Sequence, residues 1–170
     1  MSDDDDEYED DDEEEDEPVP AKPAAAPVPV VPADLRAAIT DRHLRFGWWG
    51  LFLFAGLGLV LESLNGLRVD YYINVANDTR RHMFTLAHAH GTLLSLVNLA
   101  FAFTVGTRFG EGIRNVKTPS ACLLAALVLL PAGFFTGGLV IYDGDPGLGI
   151  VMVPVGALLL MVAALLVVRR

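Results

Sequence analysis

The chain contains a single cysteine, Cys122, and lacks the common motifs of soluble enzymes. One cysteine excludes an intramolecular disulfide bond. The sequence has no glycine-rich phosphate loop, no nucleophile elbow and no zinc-binding pair of the H-E-x-x-H type. The N-terminus also lacks the basic residues that open a cleavable signal peptide, so we expect the first apolar helix to direct membrane insertion itself. Nothing in these patterns indicates an enzyme that acts on its own.

The first 17 residues lack any basic side chain and have one aromatic residue, Tyr8. Residues 3–17 carry 14 of the 22 acidic side chains, whereas the rest of the chain has 8 acidic residues against 12 lysines and arginines, a net charge of about +4. A segment of this kind repels itself and cannot form a core, so we expect residues 1–17 to be a disordered acidic head. Residues 18–33, rich in proline and alanine, predict an extended, semi-rigid spacer.

Charged residues are nearly absent from four long windows of the remaining sequence. A helix needs about 20 apolar residues to cross the hydrocarbon core of a membrane. Four windows have this length: residues 46–67, 83–105, 121–141 and 148–168. The connections between them are short, which predicts one antiparallel bundle. The predicted fold is therefore an all-α integral membrane protein, with a four-helix transmembrane bundle over residues 46–170. A juxtamembrane segment at 34–45, which contains His43 and is expected to form a short amphipathic lead-in helix, and the disordered acidic tail precede it.

Lysines and arginines are distributed unevenly between the two ends of the predicted bundle. Eight lie at the end that carries the chain termini, and three lie at the opposite end. Because cytoplasmic loops carry an excess of basic residues, we expect both termini in the cytoplasm, with the bundle in the cell or inner membrane. The lipid bilayer is then the immediate partner. Topology accounts for the basic residues and the acidic head would repel phosphates, so we expect no nucleic-acid binding.

The second predicted helix contains two histidines, one residue apart, in the stretch LAHAHG at 86–91. Residues two apart on an α-helix point about 200° apart, so His88 and His90 cannot hold one metal ion between them on a regular helix. His88 continues a polar stripe that includes Arg81, and such stripes face the bundle interior. His90 lies on an apolar face that suits lipid, a partner helix or a large apolar cofactor. We therefore expect the two histidines to have different roles.

Glu62 is the only acidic side chain well inside a predicted span, and the antiparallel arrangement brings it to about the depth of His88. A lone carboxylate there is expected to pair or to be protonated, and His88 and Arg81 are its natural partners. Such a cluster either holds the helices in register through buried hydrogen bonds or binds a cofactor. For a cofactor, His88, His90 and Arg81 are the candidate contacts. For a metal ion, His88 and Glu62 are the candidate ligands.

Two stretches, GWWGLFLFAGLGLVLESLNGLRVDYYINV (47–75) and RRHMFTLAHAHGTLLSLVNLAFAF (80–103), resemble the first two helices of haem–copper oxidase catalytic subunits. In that family the second helix carries a haem-ligating histidine near its outer end. The resemblance implies haem as the cofactor and places the ligand on His88, or on His90 if the register shifts. The family's later helices, with their copper ligands, have no counterpart here, so the resemblance does not imply oxygen chemistry.

Two functional hypotheses follow from the sequence. In the first, the protein is a subunit or accessory of a larger membrane assembly, or associates with itself. Its outer-leaflet His/Glu/Arg site then binds haem or a metal, and bound haem would allow electron transfer. The haem would have one protein ligand only, or a second one from another subunit, with His88 and His90 contributed by different chains, or from Met83 or Met152. In the second hypothesis, the protein is a structural or tethering membrane protein without a cofactor, and its acidic cytoplasmic head binds a basic partner.

Overall fold

The structure is a computed structural model, and it describes residues 31–74 and 78–169, with every side chain in these ranges except that of Arg108. The predicted acidic head and all but the last three residues of the predicted spacer lie outside the described residues. Helices account for most of the described chain. They are α1 (Ala33–Gly66), α2 (Asp70–Ile73), α3 (Asp78–Gly106), α4 (Arg108–Glu111), α5 (Lys117–Leu139) and α6 (Met152–Val168).

Four of these helices, α1, α3, α5 and α6, are long and apolar enough to cross a membrane, with α6 extended back to Leu148 by a 3-10 turn. The prediction of four such helices is confirmed. The first three long helices, α1, α3 and α5, begin before their apolar windows, most clearly α1, which starts at Ala33. The predicted juxtamembrane segment at 34–45 is therefore the first third of α1 and not a separate element. An apolar window shows only the part of a helix that is suited to the hydrocarbon core of a membrane. The helix itself can extend further, as long as its backbone hydrogen bonds continue.

The four long helices pack as a row in the order α1, α3, α5, α6. Each packs extensively against its neighbour in this row, whereas α1 and α5 touch only slightly. The predicted helical bundle is thus present in an open form. One consequence is that α6, which packs mainly against α5, has only two buried residues, Gly156 and Ala163, along its described length.

Glycines set the close approach of α1 and α3. A Cβ atom added at Gly50 of α1 would overlap the side chain of Ser95 in α3. In the other direction, Gly91 of α3 leaves room for the ring of Phe54 in α1. Small residues allow two helix backbones to approach closely in membrane proteins. We call this contact the α1–α3 seam, and it positions the histidines discussed below.

A short hairpin joins α5 to the last helix. Its strands, β1 (Ile141–Tyr142) and β2 (Asp145–Pro146), are antiparallel. Asp143 and Gly144 between them have φ angles of 49° and 93°, as a two-residue turn with both central residues in the left-handed region requires. The hydroxyl of Thr79 donates a hydrogen bond of 2.6 Å to the carbonyl oxygen of Gly144 and attaches the hairpin to the start of α3.

Both ends of the described chain lie at the end of the bundle opposite this hairpin. Val31 is buried in one apolar cluster with Ile113 and Val116 of the α3–α5 connection. Val167, near the end of α6, packs against the same cluster. The structure therefore brings the start of α1, the α3–α5 connection and the end of α6 together, as the antiparallel arrangement predicts.

Candidate functional site

His88 of α3 lies in the α1–α3 seam, where α1 determines its orientation. Its Nδ1 atom is 2.7 Å from the carbonyl oxygen of Phe54. A carbonyl oxygen only accepts hydrogen bonds, so Nδ1 carries the proton and Nε2 keeps the lone pair in the neutral ring. The imidazole lies against Gly58, where a Cβ atom would overlap it. The backbone of α1 thus selects both the position and the tautomer of His88.

The Nε2 atom of His88 is open in the sense that it has no hydrogen-bond partner among the described residues and is not fully buried. In that part of the chain, the buried side-chain atoms without a partner are Nε of Arg36 and Oγ1 of Thr92. An imidazole held through Nδ1 on a carbonyl, with Nε2 unengaged, has the arrangement of a metal-ligating histidine.

Glu62 and Arg81 line one polar depression of about 470 Å³ at the hairpin end of the seam. Arg81 forms an ion pair with Asp78, three residues before it on α3. Glu62 is exposed, and within the described residues no ion pair or hydrogen bond joins it to Arg81 or to His88. The expected direct contact among Glu62, His88 and Arg81 is therefore not formed.

The polar depression nevertheless lies next to His88 along the helix. Thr85 and Arg81, which line it, precede His88 by about one and two turns of α3. On α1, Glu62 follows Gly58, the residue against His88, by about one turn. His82 also lines the depression and is exposed, as expected for a residue near the interface. A group bound at Nε2 of His88 and extending toward the hairpin would meet this polar surface.

His90 faces α5 and has no part in the α1–α3 seam. Its Nδ1 atom is 2.9 Å from the carbonyl oxygen of Leu86, one turn earlier, and its ring centroid is 4.8 Å from that of Phe134 in α5. The two histidines thus contact different helices, as their spacing predicts. Among the described residues, no group of three or more His, Cys, Asp or Glu side chains could hold a metal ion.

A second polar cluster joins α1, α3 and α5 at the opposite end of the bundle. His43 of α1 is fully buried, with Nδ1 2.7 Å from Oδ1 of Asn98 and Nε2 2.8 Å from Oγ of Ser120. The amide nitrogen of Asn98 donates to the carbonyl oxygen of Leu94 at 2.8 Å, which directs its amide oxygen toward His43. Nδ1 therefore donates to Asn98, and the hydroxyl of Ser120 donates to Nε2.

The order of hydroxyl, imidazole and amide in this cluster is that of nucleophile, base and orienting group in hydrolases. Ser120, however, is only 2% exposed. Ser120 does not line the polar depression beside Glu62 and Arg81, nor does it line the apolar groove between α1 and α5 that is described below. A nucleophile must touch its substrate, so this geometry indicates a clamp between three helices. The ring nitrogens of His43 are both satisfied, as buried polar atoms generally are.

The spacing of residues along α1 indicates that His43 is buried, but this spacing is visible only if residues 34–45 are treated as part of the first long helix. The buried residues in the first half of α1 are Ile39, His43, Gly47 and Gly50, spaced by four, four and three positions. This is the spacing of one helical face. Extending the helix backward from residue 46 would have placed His43 on the face that contacts α3, opposite the polar Asn98.

An apolar groove of about 620 Å³ separates α1 from α5. Trp49, Phe54 and Leu57 line it on α1, and Pro131 and Phe135 line it on α5. Phe54 thus contributes its side chain to the groove and its carbonyl oxygen to His88. The groove follows from the open row, since α1 and α5 are both neighbours of α3 without packing closely on each other.

The class that the fold defines is a helical bundle with four helices long and apolar enough to cross a membrane. No protein-family model, curated protein or solved structure matches this chain. The function is therefore inferred from the residues of the chain itself, above all from His88.

Proposed function

We propose that this protein is a small integral membrane protein that serves as a subunit or accessory of a larger membrane assembly and binds haem through His88. Four long apolar helices support membrane insertion. The exposed apolar surface of α6 must face lipid or another membrane subunit, so it is available to the proposed assembly. The excess of basic residues at the end opposite the hairpin supports placing both termini in the cytoplasm.

The observation that carries the haem proposal is the imidazole of His88, held through Nδ1 by the Phe54 carbonyl oxygen with Nε2 open. A porphyrin supplies four nitrogen ligands itself, so haem needs only one or two ligands from protein. A bare metal ion in a structural site commonly takes four ligands, and the described residues offer no such group. The donor set therefore favours haem over a metal ion held by His88 and Glu62.

The polar depression suits the polar edge of such a cofactor. Arg81 would meet a propionate there, because guanidinium groups bind carboxylates strongly. Arg81 now pairs with Asp78 at an exposed surface, where ion pairs contribute little to stability. Exchanging Asp78 for a propionate as the partner of Arg81 therefore costs little free energy. Glu62 would lie at the same polar edge, from the α1 side. Bound haem would supply one-electron redox chemistry, and the role of the chain is to hold and orient it.

An absorption spectrum of the full-length protein in detergent, oxidised and then reduced with dithionite, tests this proposal. Expression with added haem precursor should give a Soret band that shifts on reduction and disappears in His88→Ala. Iron analysis of the same sample should show haem iron in proportion to protein. A featureless spectrum without stoichiometric iron, from a sample that elutes as a folded species, would reject haem binding.

The second candidate is a structural or tethering membrane protein without a cofactor, whose acidic head binds a basic partner. The cluster of His43, Asn98 and Ser120 favours it, because polar groups there satisfy one another between helices without a ligand. The two proposals predict opposite results for two variants. Deleting residues 1–17 should abolish capture of a basic partner and leave the haem spectrum intact. His88→Ala should remove the haem spectrum and leave partner capture intact.

A further inference from the structure

Several basic side chains at the end of the bundle opposite the hairpin have no acidic partner among the described residues. Two others there are paired, since Arg36 contacts Glu111 at 3.5 Å and Arg45 contacts Asp41 at 2.7 Å. The exposed basic side chains at this end that form no ion pair within the described residues are Arg42, Arg114, Lys117 and Arg169. We call these four residues the basic end.

The described chain begins beside the basic end. Val31 is only 8% exposed and packs in the apolar cluster that contains Ile113 and Val116. These two residues flank Arg114, and Lys117 follows directly. The segment that precedes Val31 is therefore joined to the bundle next to the α3–α5 connection.

The cluster of His43, Asn98 and Ser120 brings a third basic residue, Arg42, to the same region. His43 is hydrogen-bonded to Ser120, which lies about one turn after Lys117 in α5. Arg42 precedes His43 directly, so its backbone lies within about a turn of that contact. Unpaired positive charge is thus concentrated close to the point where the N-terminal segment leaves the bundle.

We propose that the acidic head, residues 3–17, docks on the basic end of its own chain. The head has 14 acidic side chains and no basic one, which complements unpaired cations. Residues 18–30 connect it to Val31, and an extended proline-rich spacer rises about 3 Å per residue, so these residues span up to about 40 Å. Neighbouring helices in a row lie about 10 Å apart, so this reach covers the end of the bundle.

Because the acidic head is tethered to the bundle, it competes favourably with acidic groups from solution for the basic end. A segment joined by a short linker is present at an effective concentration in the millimolar range. The docked head neutralises the basic end, and any basic partner of the head must first displace it. The docking thus regulates access to both the head and the basic end, and it does not depend on haem.

Carbodiimide coupling of carboxylates to amines tests the docking, because the chain has only two lysines. Lys117 belongs to the basic end. Lys22 lies in the predicted spacer, close to the head, and serves as an internal standard of reactivity. The full-length protein is coupled in a neutral detergent, and cross-linked peptides are quantified by mass spectrometry. A mixture of isotope-labelled and unlabelled protein distinguishes coupling within a chain from coupling between chains.

We expect the head to couple to Lys117 within one chain. The yield at Lys117 relative to Lys22 should fall about fivefold in the double variant Arg42→Gln/Arg114→Gln, the effect expected from two exposed ion pairs. It should fall similarly in about 1 M salt, where the Debye length is about 3 Å. Lys117→Arg keeps the charge and should remove this cross-link, while Arg68→Gln, at the hairpin end, should leave the ratio unchanged.

Three outcomes would overturn the docking. They are coupling at Lys22 without coupling at Lys117, coupling at Lys117 only between different chains, and a Lys117 yield unaffected by both salt and the double variant. The substituted side chains are exposed and form no ion pairs among the described residues, so the variants should elute and unfold like the original protein.

Discussion

Nδ1 of His43 donates a hydrogen bond of 2.7 Å to Oδ1 of Asn98 across the α1–α3 seam, and both residues are fully buried. The two residues are 55 positions apart in the chain. Ser120 adds α5 to the same contact. Because each atom of the cluster has a specific partner, sliding any one helix would leave buried polar atoms unsatisfied. The cluster therefore fixes the register of three helices, and it does so at the end of the bundle where the chain begins.

Replacing His43 with leucine should lower the free energy of unfolding by about 1–3 kcal/mol, because it leaves the Asn98 amide and the Ser120 hydroxyl buried without partners. Asn98→Leu should have an effect of the same size. The double variant should lower the free energy of unfolding by less than the sum of the two single variants, since residues in one hydrogen-bond network are coupled. Unfolding in detergent measures all three.

Ser63→Ala is the matched control for this cycle. Its hydroxyl donates to the carbonyl oxygen of Leu59 at an exposed position of the same helix, and surface changes of this kind usually stay within about 0.5 kcal/mol. Strictly additive costs for His43→Leu and Asn98→Leu would show that the hydrogen bond between them does not couple α1 to α3.

Two glycines of α1, two positions apart, allow a sharper test of the seam. A Cβ atom at Gly58 would overlap the His88 imidazole, whereas one at Gly56 meets nothing within 4 Å. Gly58→Ala should cost about 1–3 kcal/mol of stability, as overpacking does. Gly56→Ala should be neutral or stabilising by up to about 1 kcal/mol, because alanine is the better helix former.

The same pair tests the role of His88. If His88 ligates haem, Gly58→Ala should also shift or weaken the Soret band by displacing the ring, and Gly56→Ala should leave the spectrum unchanged. Equal stability and equal spectra for the two variants would contradict the close contact between Gly58 and His88.

His88 and His90 should respond differently to replacement by phenylalanine. His90→Phe keeps an aromatic ring against Phe134 and loses only a hydrogen bond within its own helix, so stability and any haem spectrum should be retained. His88→Phe loses the bond to Phe54 across the seam, and it removes the open Nε2 atom. The measurement is thermal unfolding together with the reduced-minus-oxidised spectrum, and loss of haem in His90→Phe alone would move the proposed ligand to His90.

The sequence predicted the elements of this fold better than their contacts. Apolar windows indicated the four long helices, and the 200° separation of His88 and His90 placed them on different faces. The contact expected between Arg81 and Glu62 is not formed, although the partner that Arg81 does have could be read from the sequence. Asp78, three residues away on the same helix, offers a local ion pair that needs no tertiary arrangement. A contact between Arg81 and Glu62 would instead depend on how α1 and α3 pack. The apolar windows of the sequence contain no information on which side chains of two helices face each other.

The orientation of the bundle in the membrane should place the hairpin outside the cytoplasm. Eight lysines and arginines belong to the end opposite the hairpin, and three belong to the hairpin end. The excess of basic residues on cytoplasmic loops is a count of lysine and arginine, to which neighbouring acidic residues contribute little. The excess therefore favours the cytoplasmic side for the end opposite the hairpin.

Single cysteines in a Cys122→Ala background test this orientation. Tyr142→Cys places a thiol on the hairpin, where the tyrosine is 61% exposed, and Arg114→Cys places one in the exposed α3–α5 connection. A membrane-impermeant maleimide added to intact cells should label Tyr142→Cys at once and Arg114→Cys only after permeabilisation. The reverse pattern would place both described ends outside the cytoplasm. The acidic head would then face away from cytoplasmic basic partners, which removes the tethering function as proposed but leaves the docking of the head on its own basic end intact.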